Sequence, residues 1–243
     1  MNMLATLATI EDIAQETDSV GGRVLESALY NTTVDVAYLE KSKGGALGLV
    51  LHLSTEDGQE FRNTLWAASG DAKGNKNFYL DKQGNKKYLP GFLHANALAL
   101  LTVGKEISQL ETEERVIKLY SKEAGAEVPT KVNMLVDIVG QKILTGLLKQ
   151  VVDKTIDNGA GVYVPTGDTR EENEIDKFFR ASDRMTTAEI RAQATEATFA
   201  DTWEKKWNGV TKDRASKGTG SAAGAPKAAN SASNGKPTTS LFG

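Results

Sequence analysis

Five lysines and four aromatic residues stand close together between residues 70 and 92. The stretch reads Gly-Asp-Ala-Lys-Gly-Asn-Lys-Asn-Phe-Tyr-Leu-Asp-Lys-Gln-Gly-Asn-Lys-Lys-Tyr-Leu-Pro-Gly-Phe. Lys73, Lys76, Lys82, Lys86 and Lys87 outnumber Asp71 and Asp81, so the segment is locally +3. Phe78, Tyr79, Tyr88 and Phe92 are interleaved with the lysines. This combination suits an extended nucleic-acid strand. Ammonium groups follow the phosphates and release counterions. Ring faces stack bases at roughly 1–3 kcal/mol each, whatever the base. A solvated loop whose rings turn into the core has the same composition. The triplet Gly-Asn-Lys occurs at 74–76 and again at 84–86. Gly84 and Asn85 tolerate positive φ, which predicts a hairpin with strands near 77–82 and 86–89. Arg62 and Trp66 add a cation and a ring on one face of the strand just before it.

Other chemistry finds less support. The chain has no cysteine, which excludes disulfides, iron–sulfur clusters, thiolate zinc sites and a thiol nucleophile. Two histidines, His52 and His94, are too few for a three-histidine metal site. His52 sits in an alternating apolar strand and His94 at a helix start, positions that suit satisfied structural residues. No Gly-x-Ser-x-Gly motif is present, and no glycine cluster ends in the Lys-Ser/Thr of a phosphate loop. Carboxylates gather at Glu111, Glu113 and Glu114, and again at Asp168, Glu171, Glu172, Glu174 and Asp176. Such groups can hold Mg²⁺. The second group falls at an expected helix N-terminus, where the dipole favours negative charge without any metal. No cofactor and no catalytic residue are expected.

The chain has 243 residues and a net charge of −3. Arg214, Lys217, Lys227 and Lys236 have no anion beside them, so residues 1–213 carry −7. A nucleic-acid partner would therefore meet a local basic surface, not the average field. No apolar run approaches the ~18–20 residues of a membrane span. The first 20 residues lack a basic n-region, which argues against a secretory signal and for an intracellular protein.

The elements that would position the basic segment follow from hydrophobic period. Residues 1–20 form an arm in which Leu4, Leu7, Ile10 and Ile13 suit a short helix. Residues 23–69 read as strands: Val34 to Leu39, then Ala46 to Leu53 with alternating leucines, an Asp57-Gly58 turn, and Glu60 to Trp66. Gly91 to Leu101 has a helical face of Phe92, Ala95, Leu98 and Ala99. Arg115–Tyr120 and Val132–Val139 fit strands, and Ile143–Val152 a strand or a helix. Val162 to Pro165 suits a strand end. Thr169 with Glu172, and Thr186 with Glu189, are capping-box patterns. They predict a helical segment over 167–210, with Ile175, Phe178 and Phe179 on the first helix and a second over about 187–207. From 211 onward a polar tail rich in Ala, Ser and Gly is expected to be disordered, ending in the hydrophobic pair Leu241 and Phe242. The fold class is α+β.

Several segments resemble bacteriophage single-stranded DNA-binding proteins of the OB-fold type. They are Ser69 to Tyr79, Tyr88 to Phe92, and Val164 to Gly167 leading into Arg170 to Ile175. The resemblance implies an OB-like β-barrel body over 21–166, additional C-terminal helices, and a tail that recruits partners. It implies DNA contacts from Lys73, Lys76, Tyr79, Lys82, Lys86, Lys87 and Tyr88, to which the reading of the residues themselves adds Arg62, Trp66 and Phe78. Leu241 and Phe242 would form the docking tip for replication or recombination proteins. Tails of this family are strongly acidic, whereas this one is slightly basic, so competition between tail and DNA is not implied here. The first expectation is a stoichiometric coat for single-stranded DNA in the host cytoplasm, used in replication, recombination or repair. The alternatives are an interaction or assembly protein that binds no DNA, and a Mg²⁺-dependent nuclease.

Overall fold

The computed structural model describes residues 24–121, 123–159 and 163–215. The expected N-terminal arm helix, and Leu241 and Phe242, lie outside the described residues. The fold is α+β, with antiparallel strands dominant and three α-helices among the described residues.

Strand β1 (Ala28–Lys41) organises the sheet. One edge pairs with β2 (Leu47–Thr55) from Thr32 to Lys41. The other edge pairs first with β8 (Lys142–Asp157), over Ala28–Thr33, and then with β7 (Ala126–Met134) at Tyr38 and Leu39. The β2 register shifts between Val34 and Val36, so Asp35 drops out of the ladder. Such a bulge bends a strand, which lets one edge serve two partners in turn. Strand β3 (Glu60–Trp66) pairs with β2, β6 (Glu113–Ser121) with β7, and β9 (Tyr163–Phe179) with β8. With β10 (Thr211–Asp213) on β8, this makes an eight-stranded sheet. The OB-like barrel implied by the resemblance is not confirmed: the sheet has eight strands, and among the described residues its pairing does not close.

Alternation decides which side of the sheet is core. Leu39, Leu49 and Leu65 form one inward row, and Val34, Leu53 and Phe61 another. Helix α1 (Pro90–Val103) covers them with Ala95, Leu98 and Leu101. Pro90 suits the first helical turn, where its missing N–H is not needed, and Gly104 at φ +72° ends the helix. On the outer side Tyr38, Val50 and Val132 are buried beneath Ile117, Leu119 and Met134. The β6–β7 hairpin thus roofs part of the outer face of β1 and β2.

A separate cluster joins Leu144, Leu148 and Phe179 to Ala200 and Trp203 of helix α3 (Phe199–Trp207). Gly146 leaves room for it. A Cβ there would stand 3.1 Å from the Trp203 ring and 3.3 Å from Phe179. Trp203 Nε1 donates to Asp176 Oδ2 at 2.8 Å.

Three expectations for the C-terminal third are corrected. Residues 167–179 are strand, not helix, and Thr169 with Glu172 cap nothing. The spacing of Ile175, Phe178 and Phe179 imitates a helical face because the end of β9 is buried on both sides. Phe178 enters the main core and Phe179 the Trp203 cluster. The carboxylates from Asp168 to Asp176 accordingly alternate along a strand, with no helix dipole to face. Next, the expected helix over 187–207 is two helices, α2 (Thr187–Arg191) and α3, separated by Gln193 at φ +53°. Finally, the first residues of the tail expected from 211 are structured. Ser27 Oγ donates to the Val210 carbonyl at 2.6 Å, Thr211–Asp213 form β10, and the Arg214 N–H bonds to the Val151 carbonyl. Elsewhere Val132–Val139 splits into the end of β7 and a 3₁₀ turn at Val136–Ile138.

The chain divides into two compact units. Among the described residues, 24–149 with 173–211 form the first, and 150–172 with 212–215 the second. Every described residue of the candidate site belongs to the first.

Glu189 accepts from N–H groups at the N-termini of both short helices. One carboxylate oxygen accepts from the Thr186 N–H at 2.9 Å and from its hydroxyl at 3.0 Å. The other accepts from the N–H groups of Thr198 and Phe199, both at 2.8 Å. Partial burial pushes the Glu189 pKa up, but these donors together outweigh it and hold it at about 2, against an ordinary 4.5. A depressed folded pKa stabilises the fold above the unfolded pKa, and that stability is lost as pH falls from about 4.5 towards 2. Screened by solvent, the effect is about 1–2 kcal/mol. Urea titrations of wild type and Glu189→Gln at pH 7 and pH 3 should show the difference between them shrinking at the lower pH. An equal difference at both would refute this role.

Candidate nucleic-acid interface

The interface begins at the end of β3. Arg62, Thr64 and Trp66 project from the outer face, as their alternation predicts. Trp66 lies opposite Gly48, whose missing side chain makes room for the indole. A Cβ at Gly48 would be 3.0 Å from Trp66 Cε3 and 2.8 Å from Thr64 Cγ2. The ring is nonetheless 43% exposed, a large apolar surface left facing water. The Ala67 and Ala68 N–H groups both bond to the Leu47 carbonyl and end the ladder.

The basic segment then leaves the sheet as a tethered hairpin. The Asp71 N–H bonds to the Gly44 carbonyl at 2.9 Å, fixing the loop to the β1–β2 turn. Gly70 permits this approach, since a Cβ there would sit 2.2 Å from that carbonyl oxygen. Ser69 and Lys76 bond to each other through both backbone and side chain. Strands β4 (Phe78–Leu80) and β5 (Lys86–Tyr88) pair as expected, though each is shorter than predicted. Their turn is locked by Asp81, whose Oδ1 accepts from the Gln83 and Asn85 N–H groups at 2.9 Å. Bonding to the Asn85 N–H leads the effects that hold this carboxyl below its ordinary pKa. Gly84 takes φ +82°.

Register sorts the predicted residues onto two faces. Phe78 lies opposite Tyr88, and Leu80 opposite Lys86. On that face Lys86 Nζ is 5.1 Å and Lys76 Nζ 5.7 Å from the Phe78 ring centre. Tyr88 meets Phe92, at the start of α1, at 4.9 Å. Tyr79 points to the other face, opposite Lys87. Lys87 also reaches Asp81 at 3.9 Å, an exposed pair worth little. Tyr79 is 49% and Tyr88 55% exposed, so the rings do not turn into the core. Lys73 ends a 3₁₀ turn (Asp71–Lys73) and Lys82 sits in the hairpin turn; both are exposed. The structure therefore joins Lys76, Phe78, Lys86 and Tyr88 into one patch and sets Tyr79 with Lys87 on its reverse. Arg62 and Trp66 remain on β3.

A second feature of the outer face was not foreseen. Val36, His52 and Arg62 form one row across β1, β2 and β3. With Asp35, Glu60 and Phe61 they line a cleft of about 460 Å³. Arg62 Nη2 donates to the Tyr38 hydroxyl at 3.2 Å and lies 3.6 Å from Glu40. Burial, followed by the Arg62 charge, pushes the His52 pKa below its ordinary value, which keeps the imidazole neutral at pH 7. Burial likewise raises the Tyr38 pKa. The sequence signal was there: His52 stands at an outward-facing position between the core leucines of β2, where a titratable ring marks that face. Its neighbours depend on the bulge at Asp35, which no pattern announces. The carboxylates at 113–114 lie along β6, where Glu113 and Glu114 bond to Arg115 and Lys131. Among the described residues no three metal-ligating side chains come together. No described helix is long and apolar enough to cross a membrane.

No protein-family model matches this sequence, and no curated protein matches it. The functional reading therefore rests on the site's own residues.

Proposed function

We propose that this chain binds single-stranded DNA with little base selection. It would coat the strand during bacteriophage replication, recombination or repair in the host cytoplasm. The observation that carries the reading is the tethered hairpin. It holds Tyr79 and Tyr88 half exposed among five lysines, on a body whose net charge is otherwise negative. Exposed rings beside cations suit base stacking with phosphate tracking. An OB-type origin for the body is supported by two features. β1 pairs along both edges, and the β2–β3 face that carries Arg62 and Trp66 is the face such folds present to oligonucleotides. Docking of replication or recombination proteins to Leu241 and Phe242 belongs to the same proposal.

The test is an anisotropy titration of labelled oligo-dT against a duplex of equal length at two salt concentrations. Tight, salt-sensitive binding to the single strand alone is expected, and no binding at low salt would overturn the reading. Lys86→Ala with Lys87→Ala should lower the slope of log K against log salt by about 1–2. An unchanged slope would remove the hairpin from the interface.

A further inference from the structure

The cleft on the outer face holds polar groups in an unusual state. His52 Nε2 is buried and has no hydrogen-bond partner. An orphan of this kind in a folded protein calls for an explanation. Asp35 Oδ1 accepts from Ser54 Oγ at 3.0 Å, while Oδ2 has no bonded partner among the described residues. The Glu60 carboxylate has neither ion pair nor hydrogen bond among them, although Arg62 is two residues away. Arg62 bonds through Nη2 alone. The volume of about 460 Å³ falls within the range of small-ligand sites.

These groups describe what would fill the space. Two solvent-facing carboxylates disfavour a phosphate and offer acceptors to N–H donors. The remaining guanidinium nitrogens are free to donate to acceptors. Among the four DNA bases only guanine offers two adjacent N–H donors, at N1 and N2, together with the O6 and N7 acceptors that suit arginine. We propose that the cleft of Asp35, His52, Glu60 and Arg62 is a subsite for one guanine base. The carboxylates would accept from its N1 and N2 donors and Arg62 would donate to its O6 and N7. This rests on the single-strand reading and adds one base-selective position to an otherwise tolerant track. That position lies four residues along β3 from Trp66, about 13 Å in an extended strand.

The test uses the full chain and labelled oligo-dT of about 12 nucleotides, with its central base kept as thymine or replaced by guanine, adenine, cytosine or hypoxanthine. Guanine should tighten binding roughly fivefold or more, and the other substitutions should not. Hypoxanthine lacks only the 2-amino group, so it isolates that donor without altering the protein. Glu60→Gln should abolish the guanine preference and leave the oligo-dT affinity within about twofold. Equal affinity for the thymine and guanine strands would overturn the guanine site while leaving single-strand binding intact. No binding to oligo-dT at all would overturn the function and the subsite together.

Discussion

Replacing both Tyr79 and Tyr88 with alanine should weaken oligo-dT binding by roughly 2–6 kcal/mol, a loss of about 30-fold or more, at about 1–3 kcal/mol for each stacked base. The salt slope should stay unchanged, because no cation is removed. That pairing of results separates stacking from charge, since the Lys86 and Lys87 substitutions should weaken binding and lower the slope as well. The two rings lie on opposite faces of the hairpin, so the single variants also report the strand's path. Tyr88 packs at a tilt against Phe92, with 4.9 Å between ring centres, and its exposed surface is open to a base. Tyr79 has only Lys87 opposite it. Equal losses would mean that the strand wraps the hairpin. A loss confined to Tyr88→Ala would mean that it follows the patch of Phe78 and Lys86. Unchanged affinity in the double variant would refute the stacking role.

Trp203→Ala should cost about 3–5 kcal/mol of folding stability, the range for emptying a large buried aromatic site. That is a large share of a typical total of about 5–15 kcal/mol. Trp203 is 3% exposed and packs with Leu144, Leu148 and Phe179 over Gly146, where no side chain can move in to fill the space. Trp203→Phe keeps part of the ring contact but loses the bond to Asp176, so about 1–2 kcal/mol is expected. Midpoints and slopes of urea unfolding give both values. A loss below about 1 kcal/mol for Trp203→Ala would show that α3 does not hold the end of β9 as described.

The first three strands were legible because their core-facing positions are apolar at every second residue, so hydrophobicity alternates even where Tyr38 and Val50 are also buried on the outer side. Leu49, Leu51 and Leu53 announce the core side of β2, and Asp57-Gly58 announces the turn to β3. The hairpin of β4 and β5 was legible for a local reason. Its turn is closed by Asp81 and Gly84 within the segment itself. Helix α1 showed its face, though it runs two residues past the expected Leu101, and Thr186 with Glu189 forms the capping box its spacing predicts. The second acceptance by Glu189, from Thr198 and Phe199, was hidden because it joins residues nine and ten positions away.

The end of β9 failed for the opposite reason. Buried on two sides, it has no polar face, and without one a period of two looks like a period of three or four. What the sequence by itself determined is therefore local: the sheet-forming segments, the turn residues, and the charge and aromatic content of the hairpin. Only the tertiary structure decided how many strands share one sheet, because β1 meets β8 and β7 more than 90 residues away, through a bend at Asp35. It alone also set His52, Arg62, Asp35 and Glu60 around one cleft. Their meeting depends on the pairing register of three strands, and register is a property of the packed sheet rather than of any one segment.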